Sequence, residues 1–548
     1  MVGSGVDLLV VGGGVTGCGI ALDAAARGLK VALIEQRDFA SGTSSRSSKL
    51  IHGGVRYLEQ LRFRLVREAL RERALLLRTL APHLVTPVPM LFPLRGQFWE
   101  RGYVGAGFTL YDSLGGLHPA LPRHQHLSQA ATLARFPDLR RQGLRGAVAF
   151  FDAQVDDARH TVELARTAAK HGALLLSGTR FRGVLSAAGR VVGAEVTDTV
   201  DGDEYSIPAR VVVNATGPWA GQTEVLAGVA EPLQMRPSKG VHIVVPRDRI
   251  RATCALISRT RSSVLFVLPW DASWIIGTTD TAWRHGLDHP SANQGDIDYL
   301  LTESNRLLMS DLSEEDITGI YAGVRPLVGA DGASESQLSR EHVIREGRPG
   351  LITITGGKYT TYRVMAQHAV DACRSTLGPL PASSTERIPL IGAGEPALLE
   401  RSLVSAAPGF DPTTLARLTR RYGRLAGELL AEIEREPQLA DPIEGGAGAI
   451  AGEIRYAVTH EGALTVDDIL TRRTRIYLEA GDRGVTAVPQ VAEIMAPVLG
   501  WSRERREAEV QRYLARVEAE RLAQAASSDD ESARLRTRVK DPRIVSAS

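Results

Sequence analysis

The chain has 548 residues with 65 Lys and Arg against 63 Asp and Glu, a formal charge of +2, so it lacks the global basic field of nucleic-acid binders. Its three cysteines, Cys18, Cys254 and Cys373, are too few and scattered for a disulfide framework or zinc site, and fit a reducing cytoplasm. No signal-type apolar core precedes the first strand and no run reaches membrane-spanning length, so secretion is not indicated and any membrane contact is peripheral.

A length of this order implies two or three domains. The first is announced at once. The apolar run Leu8–Val11 leads into Gly12-Gly13-Gly14-Val15-Thr16-Gly17, then a small-residue helix to Arg27 and a second apolar run, Val31–Ile34, ending in Glu35. A strand ending in Gly-x-Gly-x-x-Gly that opens a helix is a dinucleotide fingerprint: each glycine removes a Cβ that would block the turn, the pyrophosphate or the helix–strand contact. The pyrophosphate then rests on bare amides at a positive helix end. Glu35, 23 positions after Gly12, sits where a carboxylate binds a ribose diol and repels a 2′-phosphate, which favours FAD or NAD over NADP.

Next, Ser41–Gly54 holds six hydroxyl residues and three glycines in fourteen positions, a segment of short hydrogen-bonders and bare amides suited to an anion or a ring. Lys49, His52 and Arg56 lie in or beside it. Phe63–Leu80 has helical spacing. Residues 81–147 alternate prolines, aromatics (Phe98, Trp99, Tyr103, Phe108, Tyr111) and arginines; both an interfacial surface among lipid head groups and ordinary core packing explain that texture. His118, His124 and His126 have no acid or cysteine at ligand spacing, and no metal site is expected.

A second α/β passage reads as a strand end at 148–151, a helix over 156–171, a strand at 173–177 and a β-meander closing on Val211-Val212-Val213-Asn214-Ala215-Thr216-Gly217-Pro218-Trp219. From 231 to 324 the pattern is strand-rich, with runs 240–246, 263–270 and 274–280, as for a sheet roofing a pocket. Leu351–Arg363 then gives strand, Gly356-Gly357 and a helix from Tyr359, whose start would stabilise negative charge. Past Pro381 only helices are predicted, and beyond 527 a loose polar tail.

Seven blocks together resemble the FAD-dependent glycerol-3-phosphate dehydrogenases: Val11–Gly17, Ser44–Glu59, Asn214–Trp219, His242–Pro246, Ile276–Asp280, Gly323–Leu327 and Gly356–Arg363. The resemblance covers roughly residues 5–385, and less specifically the helical part around Leu464–Thr474. It implies an α/β fold: a Rossmann-like FAD-binding domain of glutathione-reductase or amino-acid-oxidase type (1–80, 146–230 and 345–385), an antiparallel β substrate or cap domain (81–145 and 231–344), a helical C-terminal domain (390–526) and the tail (527–548). It implies non-covalent FAD held by Gly12, Gly14, Val15, Thr16, Gly17, Glu35, Gln36, Thr43, Ser44, Ser47, Lys49, Leu50, His52, Gly53, Gly54, Ala215, Thr216, Gly217, Trp219, Gly357, Lys358, Tyr359 and Thr360. The implied partners are glycerol 3-phosphate, a quinone, the inner face of the cell membrane and a second copy of the chain.

A phosphorylated alcohol is close to a dianion and needs cations, for which Arg56, Arg325 and Lys358 are the candidates, with Tyr57, Thr279 and Asp280 beside them. Each cation has a structural ion pair as its alternative role. Oxidation at C2 also needs a base, and His242 fits because a neutral imidazole accepts a proton near pH 7 while arginine does not; it reads equally as a core histidine. Arg325 is taken as catalytic alongside it. Oxygen as acceptor, giving an oxidase, and a non-catalytic flavin scaffold remain the competing readings.

Overall fold

The computed structural model describes residues 5–96, 99–116, 120–260, 263–329, 341–407 and 409–539. His118, Phe98 and the last stretch of the tail, 540–548, lie outside these. Two sheets organise the chain. The first runs in the order His342–Arg348, Leu351–Gly356, Glu204–Asn214, Val6–Val11, Val31–Glu35, Leu174–Ser177, all parallel apart from its antiparallel edge at 342–348. A hairpin, Thr179–Ala187 with Arg190–Asp198, extends the near half of Glu204–Asn214. Val6–Val11 is apolar at almost every position because both faces of a parallel sheet are covered. Helices Val15–Ala26, Asp157–Lys170 and Tyr362–Ala372 pack together in one layer, sharing a core with Val10, Leu33 and Val213.

The second sheet is mixed and ten-stranded. Ser238–Pro246 is central, flanked by Ser273–Gly277 and Gly319–Arg325, and the sheet continues through Val264–Trp270, Ala255–Arg259, Thr86–Leu94 and Gly146–Gln154 to Leu50–Ile51. Two boundaries differ from the sequence reading. Gly146–Gln154 is paired along its whole length with Thr86–Leu94 and so belongs to the cap sheet, not the nucleotide-binding part; an apolar run with no alternation gives no sign of which sheet will take it. Leu50–Ile51 pairs with the same strand, so the serine-rich segment leaves the nucleotide domain and ends in the cap.

The C-terminal part is helical, as expected, from Pro396–Ala406 to Arg503–Gln524. The tail is a correction. Asp529–Arg536 forms a further helix, capped by Ser528, that docks back on the cap. Its Ser532 donates to Ala292 O at 2.8 Å, and its Asp529 pairs with the buried Lys239. The polar composition of this segment reflects its ion pairs, which replace the apolar contacts a hydropathy reading looks for.

Candidate active site

The two sheets enclose a cleft of about 440 Å³, within the range of small-molecule and cofactor sites. Its floor is the glycine turn. Gly12 has φ +112°, and a Cβ there would stand 2.8 Å from Ala215 O; a Cβ on Gly17 would lie 1.9 Å from Gly12 O. The turn can therefore close only with these glycines, which leaves its amides facing the cleft. Val15 N–H donates to Ser44 Oγ at 2.9 Å, joining the serine segment to the helix start. Glu35 ends its strand beside the turn and accepts from Gly13 N–H at 2.8 Å and Arg37 N–H at 2.9 Å; burial raises its carboxyl above the usual range despite those bonds. Gly12, Gly14, Val15, Thr16, Glu35, Gln36, Thr43, Ser44, Ala215, Thr216, Gly217 and Trp219 all line the cleft, as does the second glycine turn, whose Gly357 has φ +74°. A strand–glycine turn–helix with a terminal carboxylate is a donor set that fits FAD, and these residues would hold it.

His242, Arg325, Lys358, Tyr57, His52 and Thr360 line the same cleft. His242 lies opposite Gly277 and Tyr321 in the register of the cap sheet. A Cβ on Gly277 would come within 2.3 Å of the imidazole, so that glycine makes room for the ring. The imidazole stacks on Tyr321 at 4.8 Å and 7°, and its Nε2 is 2.8 Å from Ser48 Oγ. Burial, with the charges of Arg325 and Lys49 nearby, holds it well below its ordinary range, so it is neutral at pH 7. Nδ1 is buried with no hydrogen-bond partner among the described residues.

Arg325 is fixed by its neighbours. It donates to Asp280 Oδ1 at 3.0 Å, Thr278 Oγ1 at 3.0 Å, Thr279 O at 3.1 Å and Ser238 Oγ at 3.2 Å. Thr279 and Asp280 do not reach the cleft; Asp280 pairs with Arg325 and Thr279 accepts from Val241 N–H at 3.0 Å. They are a layer behind the site, orienting a cation that is. Lys358 Nζ sits over the Tyr57 ring at 3.7 Å, a cation–π arrangement that orients the ammonium. Arg325 and Lys358 thus share one cleft, as the sequence reading requires.

Several expected contacts fall elsewhere. Arg56 lies off the cleft, its guanidinium 5.8 Å from the Tyr57 ring. Lys49 is wholly buried and donates to Asp157 Oδ1 and Ser45 O, both at 2.7 Å, and so is structural. Ser47 also bonds Asp157 through Oγ, at 2.7 Å, although it lines the cleft. Gly53 packs under Tyr111, whose hydroxyl accepts its N–H at 3.0 Å, and Gly54 packs on Tyr57; neither lines the cleft. Gly17 lies beneath the turn. Tyr359 lines the cleft but turns its hydroxyl to Asp157 O at 2.7 Å, and the residues 359–361 form a 3₁₀ turn ahead of the helix.

Sequence reasoning missed Ser48, which was readable only as one hydroxyl among many. It also missed Thr179, Arg180 and Phe181, which a distant hairpin brings to the Glu35 end without any local motif.

The serine segment is held from behind by the C-terminal domain. Arg475, with φ +66°, donates to Asp156 Oδ1 at 2.7 Å and also to Asp157 and Ser45 O. Arg472 and Arg473 both grip Asp38, at 2.6 and 2.8 Å. Burial opposes ionisation of Asp156, but Arg475 and Arg421 outweigh it and hold the carboxyl well below its usual range.

The comparisons agree with this architecture. Residues 7–366 match the family model "FAD dependent oxidoreductase", and residues 383–506 match "C-terminal domain of alpha-glycerophosphate oxidase". The chain is therefore an FAD-dependent oxidoreductase, and FAD is its cofactor. It is 50% identical to the glycerol-3-phosphate dehydrogenase of Mycobacterium leprae over 98% of this chain and 92% of that protein. It is 36% identical to the mitochondrial glycerol-3-phosphate dehydrogenase of Rattus norvegicus over 92% of this chain and 72% of that one. The structure of the Bacillus halodurans glycerol-3-phosphate dehydrogenase complexed with FAD superposes with a TM-score of 0.77 at 30% identity, covering 94% of this chain and 95% of that one. The chain belongs to the glycerol-3-phosphate dehydrogenase family.

Proposed function

We propose that this chain oxidises sn-glycerol 3-phosphate to dihydroxyacetone phosphate and passes the electrons to a quinone while lying on the inner face of the cell membrane. The observation that supports the substrate reading is that Arg325, Lys358 and neutral His242 line the same cleft as the glycine turn that suits FAD. FAD held at the glycine turn would supply the acceptor for the hydride that C2 loses. Lys358 and Arg325 bind the phosphate, Lys358 as a point charge and Arg325 through a guanidinium already oriented by Asp280 and Thr278. His242 takes the hydroxyl proton on its imidazole, and Ser48, bonded to Nε2, fixes the ring.

The membrane reading rests on exposed apolar residues. Leu61, Phe63, Trp99 and Tyr103 are exposed on two adjoining helical segments, among Arg62, Arg64, Arg67 and Arg101; rings at head-group depth with arginines around them suit an anionic bilayer surface. Among the described residues no helix is long and apolar enough to cross a membrane.

The test is anaerobic addition of glycerol 3-phosphate to the yellow holoprotein. The flavin absorbance should bleach, and a soluble quinone analogue should restore it faster than oxygen does. No bleaching sinks the substrate. Faster reoxidation by oxygen, with peroxide formed, makes the chain an oxidase.

A further inference from the structure

We infer that the chain has a second anion site, beside the flavin cleft and sharing Arg46 with its wall, that takes a tetrahedral oxyanion such as phosphate or a small phosphomonoester among Arg46, His289, Arg516 and Arg536. Two adjoining cavities of about 60 Å³ each lie where the serine segment, the cap and the C-terminal helices meet. Arg46, His289, Arg472, Arg516 and Arg536 line both. A void of that size has room for a small oxyanion.

The charge around it is unbalanced. Seven arginines line the pair of cavities against three carboxylates, Asp467, Glu509 and Glu520. Arg472 and Arg475 are matched by aspartates behind the walls. Arg512 pairs with Glu509 and Arg516 with Asp467, while Arg516 and Arg536 share Glu520, each at 3.1 Å from it. Arg46 forms no ion pair or side-chain hydrogen bond with any described residue. Burial, together with Arg37, Arg516 and Arg536, pulls its guanidinium down to about 9, more than the charge of Glu520 restores.

His289 points the same way independently. Both its ring nitrogens are closed to solvent and have no hydrogen-bond partner among the described residues. An imidazole in that state leaves a donor and an acceptor unsatisfied. Burial and the surrounding arginines keep it neutral; an anion between them would supply the acceptor that its N–H lacks. Arginine forks around a phosphate-sized void are the geometry that recognises tetrahedral oxyanions.

Equilibrium dialysis of radiolabelled inorganic phosphate against the FAD-loaded full chain tests this. Wild type should bind two phosphates per chain, one in the cleft and one here. Arg536→Gln should weaken one of them roughly ten- to a hundredfold, the loss expected for a charged hydrogen bond, and leave the rate of flavin reduction unchanged, since Arg536 does not line the cleft. Should Arg536→Gln fail to fold, His289→Leu, which breaks no ion pair, should give the same loss. Lys358→Met should remove the other phosphate instead. Wild type binding a single phosphate that Lys358→Met abolishes, or both variants here retaining two at wild-type affinity, overturns the second site. A phosphate lost only in Arg536→Gln and His289→Leu, with none lost in Lys358→Met, supports this site and counts against the cleft as the substrate's phosphate site.

Discussion

Replacing His242 by alanine is the sharpest test of the proposed chemistry. The imidazole is buried against Tyr321 and hydrogen-bonded to Ser48 at 2.8 Å, and its pKa lies well below 6.5 because of burial and the charges of Arg325 and Lys49. A positioned base of this kind contributes about 10²–10⁴-fold, or roughly 3–5 kcal/mol of barrier. The phosphate-binding cations are untouched, so the substrate concentration at half-saturation should move by less than about threefold. The assay is anaerobic stopped-flow bleaching of the flavin at saturating glycerol 3-phosphate, which separates the limiting rate from binding. The same pKa makes a pH prediction. The folded protein resists protonating His242, so the wild-type limiting rate should hold through pH 6.5 and fall only at lower pH. Stability should follow the same sign: the contribution of the neutral ring is full above pH 6.5 and is lost as pH falls below it, where the unfolded chain binds the proton and the folded chain does not. A limiting rate in His242→Ala within threefold of wild type refutes the assignment, as does a wild-type rate that halves near pH 6.5.

Lys358→Met should raise the half-saturating substrate concentration about ten- to a hundredfold while flavin content, read by absorbance, stays near wild type; loss of flavin would make the lysine a cofactor contact only. Gly17→Ala places a Cβ 1.9 Å from Gly12 O, and opening the turn to relieve it should weaken FAD by roughly tenfold or more, seen as colourless protein after purification. Arg475→Met leaves the buried pair Asp156 and Asp157 short of a cation and should cost about 3–5 kcal/mol in denaturant unfolding, with faster flavin release; equal midpoints would mean the domain contact is not needed. Trp99→Ser with Tyr103→Ser should reduce co-sedimentation with anionic vesicles without changing flavin reduction by soluble substrate.

Most of the nucleotide-binding half was legible in the sequence because its signals are local. The Val6–Val11 strand, the glycine turn and Glu35 lie within one βαβ unit, and Gly17 answers a contact made inside it with Gly12 O, although Gly12 itself makes room for Ala215. The cations Arg325 and Lys358 were legible only through the resemblance, since nothing in their spacing brings residues 33 positions apart to one cleft. The errors share a cause. Lys49, Ser47 and Tyr359 all bond to Asp157, a residue more than a hundred positions from each of them, although Ser47 and Tyr359 also line the cleft; adjacency in sequence could not reveal which side chains turn inward. The tail was misread because its helix is held by Lys239–Asp529 and Arg536–Glu520 pairs, which hydropathy does not register.

Asp157 explains why the helical C-terminal domain belongs to this enzyme at all. The serine segment has two faces. One presents Ser44 to the glycine turn and Ser48 to His242; the other is tied through Lys49 and Ser47 to Asp157 and, beyond it, to Arg475. A segment this rich in serine and glycine has little apolar surface to hold it and would lose its shape to conformational entropy if left to itself. Arg472, Arg473 and Arg475 supply the missing restraint from a domain that never enters the cleft, by neutralising Asp38, Asp156 and Asp157 in a buried setting where an unpaired carboxylate is costly. Both Ser44 at the glycine turn and Ser48 at His242 therefore depend on three arginines more than 400 residues downstream of the segment they stabilise.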